Sequence, residues 1–142
     1  MKILVAVDGS KPSLKAVQLL IDHCDWYRSP PQVELLTVHL PVPQLPRMGA
    51  AVGKGQIEKY YREEGEAMLV PAKKKLDAAG IAYKASVLVG PIAETIVKRA
   101  DSAGCKLICM GSRGMSALGK ALVGSVATKV LQLASQPLLI AK

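Results

Sequence analysis

The chain has 142 residues, a length typical of one domain, and half of its residues are apolar although it has no Phe and a single Trp. A core of Val, Leu, Ile, Ala and Met suits a layered α/β protein better than an aromatic-rich β-sandwich. No apolar run approaches the roughly 20 residues of a membrane span. Asp8 and Gly9 also interrupt the apolar N-terminus too early for a cleavable signal sequence. We therefore expect one cytoplasmic domain over residues 1–142, with no membrane partner.

The formal net charge is +8, and the charges are unevenly distributed along the chain. No Asp or Glu follows Asp101, whereas five basic residues do: Lys106, Arg113, Lys120, Lys129 and Lys142. Such a field attracts an anionic ligand, although a solvated basic surface is the simpler interpretation of Lys129 and Lys142. We do not expect nucleic acid as the anion, because the sequence has no recognisable reading helix and no aromatic platform.

The three cysteines, Cys24, Cys105 and Cys109, are an odd number without the spacing of a zinc site. Cys105 and Cys109 are predicted to lie on one face of a strand, too far apart for a disulfide. We expect reduced, buried thiols rather than a redox pair.

The first elements in chain order are a strand, a helix and a second strand. The apolar run Lys2–Val7 predicts a strand buried on both faces. A helix follows from Pro12, capped by Ser10 or Asp8, with apolar residues at helical spacing as far as Cys24. Residues 33–40 predict the second strand, and residues 41–55 predict a loop of a length that is often mobile or functional.

The middle of the chain predicts a long helix over Gln56–Ala79, which Pro71 should kink or divide into two helices near Leu69 and Val70. Gly80 ends this helix, and Tyr83–Val89 predicts the third strand. Pro91 suits the first turn of a further helix that runs to Ala100.

The last elements are a strand over Lys106–Met110, a helix over Val126–Ala134 and a fifth strand over Gln136–Ala141. This alternation of strands and helices predicts a doubly wound parallel sheet of five strands in the order 3-2-1-4-5, with helices on both faces. Ligands bind such sheets where the strand order reverses, which here lies between the ends of strands one and four, at Asp8 and Gly111.

A glycine-rich segment separates the fourth strand from the last helix. Its spacing is G-x2-G-x9-G-S, formed by Gly111, Gly114, Gly124 and Ser125. Glycines let a backbone approach a phosphate closely, and free N–H groups at a helix start point at it. The segment is neither a Walker loop nor G-x-G-x-x-G, so dinucleotide binding is disfavoured.

Two polar residues at this edge, Asp8 and Ser125, each allow more than one interpretation. The Asp8 carboxylate is able to accept hydrogen bonds from ribose hydroxyls or to hold a metal through water, or it caps the first helix. Ser125 is an N-cap, a phosphate ligand, or both. A triad of Ser112, His39 and Asp8 lacks a nucleophile-elbow sequence, and His39 is more often structural. With no carboxylate in the glycine-rich segment to activate water, we predict no catalytic residue and no efficient hydrolysis.

Over nearly its whole length the chain resembles the universal stress protein family in its small, single-domain form. The resemblance rests on the motifs at Ile3–Ser10, Val38–Leu40, Gly90–Glu94 and Met110–Ser125. It implies an ATP-binding regulatory or stress-response factor, with Mg²⁺ at the phosphates. It further implies a homodimer that pairs through Pro137–Ala141, an apolar segment at a sheet edge.

By this resemblance, Asp8 would hold the ribose, while Ala6 and Leu40 would line the adenine. The phosphate cradle would consist of Gly111, Gly114, Gly124 and Ser125, with Ser112, Arg113 and Val126 beside it. The family often has Asp where this chain has Lys106. The long loop 41–55 is also unusual, and would act as a lid or a partner surface.

Two alternatives remain open at this point. One is a dimeric scaffold that binds protein partners and no nucleotide. The other is a slow ATPase or self-phosphorylating switch that uses Ser112, Ser116 or Ser125.

Overall fold

A computed structural model describes residues 1–42, 53–114 and 122–142 of the chain. Five parallel strands form one sheet in the order β3-β2-β1-β4-β5, as the sequence predicted. The strands are β1 (Lys2–Ala6), β2 (Gln32–His39), β3 (Tyr83–Val89), β4 (Leu107–Gly111) and β5 (Leu138–Ala141). The helices are α1 (Lys11–Asp22), α2 (Lys54–Ala78), α3 (Ile92–Ser102) and α4 (Ser125–Leu133), with a short 3₁₀ turn at Cys24–Trp26.

The helices cover both faces of the sheet, because the central strands are apolar on both sides. Ile3 and Val5 of β1 pack in a cluster with residues of α1 and α2, such as Val17 and Leu69. Leu4 and Ala6 point the other way, into a second cluster formed with α3 and α4. The sheet therefore separates two apolar layers. The loops that follow the strands lie at its carboxyl edge.

The N-terminus of α1 is fixed by Ser10, whose Oγ accepts a hydrogen bond from Ser13 N at 3.3 Å. Ser10 is thus the N-cap, rather than Asp8. Gly9 has φ of +78°, a left-handed conformation that glycine adopts without strain. The helix ends at Asp22, two residues short of the predicted Cys24, which begins the 3₁₀ turn.

Helix α2 runs without a break through Pro71, so of the two expected effects of this proline, a kink or a division into two helices near Leu69, the division is wrong. Leu69, Ala72 and Leu76 have no exposed surface. Burial of this apolar face on both sides of Pro71 offsets the backbone hydrogen bond that the proline removes. The helix begins at Lys54, inside the predicted loop 41–55, of which residues 43–52 lie outside the described residues.

The cysteines do not share a face. Cys105 precedes β4 and packs with α3 and α4, whereas Cys109 lies within β4 and packs with α1 and α2. The prediction of a common face is therefore wrong, because the strand starts two residues after Cys105. All three cysteines are free, and burial raises the pKa of the Cys109 thiol to about 12. Cys24, expected to be buried, is exposed.

Among residues 1–42, 53–114 and 122–142, no helix has both the length and the apolar character that a membrane crossing requires.

At Gly65 the helix α2 lies close against the sheet. A Cβ atom there would lie 2.4 Å from Cγ1 and 2.7 Å from Cγ2 of Val87 in β3. No side chain fits between the helix and the strand, so Gly65 sets the distance between α2 and β3.

Gly65→Ala should lower the free energy of unfolding by about 1–3 kcal/mol, because overpacking outweighs the gain in helix propensity. Gly55→Ala is the matched control in the same helix, since nothing lies within 4 Å of its added Cβ. We expect it to be neutral or slightly stabilising. Urea unfolding measures both. Equal effects of the two substitutions would contradict the close approach.

Candidate functional site

A cavity of about 460 Å³ opens at the carboxyl ends of β1 and β4, where the strand order reverses. Residues from three strands and all four helices line it. They are Ala6, Val7, Asp8, Ser13, Leu36, Val38, Met68, Ile92, Ile96, Met110, Gly111, Ser112, Arg113, Gly114, Val123, Gly124, Ser125, Val126 and Ala127. The predicted switch point and the cavity thus coincide.

The structure brings together nine of the ten residues predicted from the sequence. They are Ala6, Asp8, Gly111, Ser112, Arg113, Gly114, Gly124, Ser125 and Val126. Leu40 is the exception: it does not line the cavity, and 62% of its surface is exposed. Strand β2 ends at His39, so the chain has left the sheet by Leu40. Val38, two residues earlier, takes that place on the wall.

One part of the wall is apolar, and sequence reasoning missed most of it. It consists of Ala6, Leu36, Val38, Ile92, Ile96 and Met110. Side chains alternate along strands, so the position of Ala6 implies that even-numbered residues near the end of β2 share its face. That signal could have identified Leu36 and Val38. Met68 of α2 also lines the cavity, and no sequence pattern pointed to it.

Asp8 follows β1 and turns the chain into α1. One carboxylate oxygen, Oδ1, accepts a hydrogen bond from Ser10 N at 3.0 Å, and Asp8 N donates to Ser13 Oγ at 3.3 Å. Ser13 Oγ in turn donates to the Ser10 carbonyl at 2.9 Å. These bonds within one turn hold the carboxylate at the mouth of the cavity.

Opposite Asp8 lies the N-terminus of α4. Gly124 is its N-cap, and Ser125 is the first helical residue, so the prediction of Ser125 as N-cap is wrong. Thr128 N bonds to the Gly124 carbonyl, the first turn of the helix. The N–H groups of Ser125, Val126 and Ala127 therefore have no carbonyl within the helix to bond. All three residues line the cavity, where the positive end of the helix dipole favours an anion.

Short backbone bonds attach this helix start to the sheet. Gly124 N donates to the Ser112 carbonyl at 2.6 Å, and Ser112 N donates to the Ala141 carbonyl at 2.7 Å. Ser112 itself is buried, which leaves its hydroxyl little access to solvent. The two ends of the glycine-rich segment, residues 111–114 and 122–125, are thus held together, whereas residues 115–121 lie outside the described residues.

Two glycines of the segment have distinct steric roles. A Cβ on Gly111 would lie 2.5 Å from the carbonyl carbon and oxygen of Pro12, so the start of α1 packs directly on β4. A Cβ on Gly114 would lie 2.6 Å from Asp8 Oδ2, which places the glycine-rich segment against the carboxylate. Gly111 therefore permits helix packing, and Gly114 leaves room for Asp8.

The described residues offer little for acid–base or metal chemistry. His39 does not line the cavity: its ring lies 5.7 Å from that of Tyr61, and its buried Nε2 has no hydrogen-bond partner among the described residues. The triad of Ser112, His39 and Asp8 is thus not assembled. Within the described ranges, no group of three or more His, Cys, Asp or Glu is able to hold a metal. Glu34 is buried but paired with Arg99 at 2.5 Å, away from the cavity wall.

The comparisons with known proteins agree with this architecture. The universal stress protein family model matches residues 1–142. The chain is 30% identical to universal stress protein YxiE of Bacillus subtilis, over 99% of this chain and 98% of that protein. This chain belongs to the universal stress protein family.

Two solved structures illustrate the fold of the family. The structure of MJ0577, a universal stress protein of Methanocaldococcus jannaschii, is 29% identical, with a TM-score of 0.81 over 99% of this chain and 94% of that one. A universal stress protein solved in complex with cAMP is 24% identical, with a TM-score of 0.69 over 100% of this chain and 97% of that one. The latter likeness shows the shared fold alone.

The two glycines of this universal stress protein should respond differently to alanine. Gly111→Ala places a Cβ against backbone, which cannot yield, so we expect the free energy of unfolding to fall by about 1–3 kcal/mol. Gly114→Ala meets only the end of the Asp8 side chain, so its stability should change by no more than about 0.5 kcal/mol. Urea unfolding compares them, and a larger loss for Gly114→Ala would contradict these packing roles.

Proposed function

We propose that residues 1–142 form one domain that binds an adenine nucleotide, ATP, and acts as a nucleotide-dependent regulatory or stress-response factor. The observation that carries the proposal is the N-terminus of α4: the N–H groups of Ser125–Ala127 have no carbonyl to bond within the helix, and these residues line a cavity with an apolar wall and a carboxylate. A nucleotide needs these three environments together: an apolar slot, an acceptor for hydroxyls and an anion cradle.

The apolar wall suits the base. Leu36, Val38 and Ile92 offer flat aliphatic surface, and a planar base that covers them removes apolar area from water. We assign the role that the family resemblance gave to Leu40 to Val38 instead, because Leu40 is exposed outside the cavity. Ala6 keeps its predicted place beside the base.

The polar side of the cavity suits the sugar and phosphates. Asp8 would accept hydrogen bonds from ribose hydroxyls, since Oδ1 already has a fixed orientation from Ser10 N. The amides of α4 and the neighbouring Arg113 would hold the phosphates. With Asp8 as the single carboxylate among the described lining residues, Mg²⁺ would be held chiefly by phosphate oxygens and water. The ion would offset phosphate charge.

The same residues favour a binding protein over an efficient hydrolase. Asp8 is the one carboxylate of the described lining residues, and one of its oxygens is engaged by the α1 turn. Rapid phosphoryl transfer needs a group that orients the attacking water, and no other described lining side chain is a carboxylate or an imidazole. A universal stress protein that shares this fold was solved in complex with cAMP, an adenine nucleotide.

Thermal unfolding with ATP and Mg²⁺ tests the proposal. Ligand at a hundredfold excess over its Kd adds about 2.7 kcal/mol to stability, which should raise the Tm by about 5–10 °C. Gly124→Asp should abolish the shift, because it places a carboxylate beside Ser112 and Arg113, where a phosphate would bind. AMP, ADP and cAMP in parallel would rank the ligands.

Gly55→Asp is the matched control for this experiment. It makes the same chemical change at an exposed helix start with nothing within 4 Å, so the Tm shift should persist. If millimolar ATP does not raise the Tm of the unmodified chain, the proposal is wrong, and a scaffold that binds no nucleotide is favoured.

We further propose that the chain forms a homodimer through Pro137–Ala141. Strand β5 is an edge of the sheet, with β4 as its one neighbour among the described strands. The carbonyls of Pro137 and Ala141 bond to β4, so those of Leu138 and Ile140 face outward, together with their N–H groups. An exposed apolar edge strand of this kind readily pairs with another strand, here that of a second copy of the chain.

Ile140→Pro removes one outward N–H from β5 and should convert the dimer to a monomer, with the fold retained. Ala85→Pro is the matched control: it removes an outward N–H from β3, the opposite edge, and should leave the dimer intact. Sedimentation velocity across a dilution series measures the outcome. A monomeric unmodified chain, or dissociation by Ala85→Pro alone, would overturn this interface.

A further inference from the structure

Met68 is the one residue of α2 that lines the cavity among the described residues. It packs against the turn that holds Asp8, since a Cβ on Gly9 would lie 3.5 Å from Met68 Cγ and 3.6 Å from its Cα. It is partly exposed, whereas Met110, the other methionine on the wall, retains only 7% of its surface. A change at Met68 therefore reaches both the cavity and the Asp8 turn.

The sulfur of Met68 has a fixed orientation. Thr37 is 1% exposed, and its hydroxyl donates to Met68 Sδ at 3.7 Å. A thioether sulfur has two lone pairs, and this bond engages one of them. Thr37 does not engage the other lone pair, and Met68 lines the cavity.

We propose that Met68 is an oxidation site through which a peroxide lowers nucleotide affinity. The inference rests on the proposed function. The free lone pair of Sδ attacks one peroxide oxygen, the O–O bond breaks, and an S–O bond forms. The second oxygen leaves as water after proton transfer, so sulfur is oxidised to the sulfoxide and peroxide is reduced.

Thr37 selects one of the two possible sulfoxides. An S–O bond spans less than half of the 3.7 Å between Sδ and Thr37 Oγ1. An oxygen on the engaged lone pair would therefore lie closer to Oγ1 than the 2.5–3.0 Å of a normal O–H···O bond. The new oxygen must take the other lone pair, and a single sulfoxide epimer results.

That oxygen changes the wall in two ways. It adds volume where Met68 meets Gly9, and so presses on the turn that holds Asp8. It also places a strong hydrogen-bond acceptor where α2 borders the cavity, and a bound ligand that excluded water there would leave that acceptor without a partner. Both effects oppose binding of a nucleotide.

The test treats the folded, full-length chain with hydrogen peroxide and maps oxidised methionines by peptide mass spectrometry. Titration calorimetry with ATP and Mg²⁺ follows on the same samples. We expect Met68 sulfoxide as one epimer, identified with the two epimer-specific sulfoxide reductases. ATP affinity should fall at least tenfold, and the matching reductase should restore it without any substitution in the chain.

Met68→Leu is the matched control, because it keeps an apolar side chain of similar volume while the other methionines remain oxidisable. Its ATP affinity after peroxide treatment is compared with its own affinity before treatment, and the two should be equal. Thr37→Val frees the second lone pair, so both epimers should form. A purely structural role for Thr37 would not change the epimer ratio.

Unchanged affinity with Met68 fully oxidised, or an equal loss in Met68→Leu, would overturn the proposal. So would resistance of Met68 to peroxide in the folded chain. Failure of the untreated chain to bind ATP is a different outcome. It overturns the proposed function, and with it the proposal that oxidation of Met68 controls nucleotide affinity. The epimer ratio would still test the geometry around Thr37.

Discussion

The contact between the start of α1 and Gly111 is the constraint on which the cavity depends. Without a side chain at Gly111, the backbone of Pro12 and Ser13 rests on the end of β4. This contact turns the chain after β1 across the neighbouring strand, and it brings the Asp8 turn to the start of α4. A larger residue would separate α1 from β4 and move the carboxylate away from the amides.

The same glycine-rich segment contributes to packing in the fold and, in the proposed function, to ligand binding. Gly111 is buried beneath α1, and Gly114 lies beside Asp8, so neither is explained by phosphate contact alone. Gly124 bonds to Ser112 and ends the segment as the N-cap of α4. The spacing G-x2-G-x9-G-S therefore describes a sheet-to-helix connection as much as a ligand motif. A scaffold that had lost its nucleotide would still need Gly111.

The sequence was sufficient for the strand order, and nine of the ten residues that it singled out line one cavity, because both results follow from strong local patterns. Apolar runs such as Lys2–Ala6 are buried on both faces, and only a central parallel strand has that environment. Errors arose where one or two residues decide the outcome. Leu40 lies one residue beyond the end of β2, and Cys105 lies before the start of β4. Met68 depends on how closely α2 approaches the sheet at Gly65, a tertiary distance that no local pattern contains.

The net charge of +8 suggested attraction of an anion by basic side chains, yet in the proposed function the anion is held mainly by backbone groups. Arg113 is the one basic side chain among the described lining residues, whereas the first three residues of α4, Ser125–Ala127, line the same space. Amides at a helix start are fixed by the helix and bring no counter-ions, so they bind an anion without the ordering cost of long basic side chains. A site of this kind depends on the position of α4 relative to β4. That position is set by the bonds through Ser112 to Gly124 and Ala141. Two consecutive backbone hydrogen bonds thus connect the start of α4 to Ala141 at the end of β5, and a change that displaced the Ala141 carbonyl would also move the α4 amides.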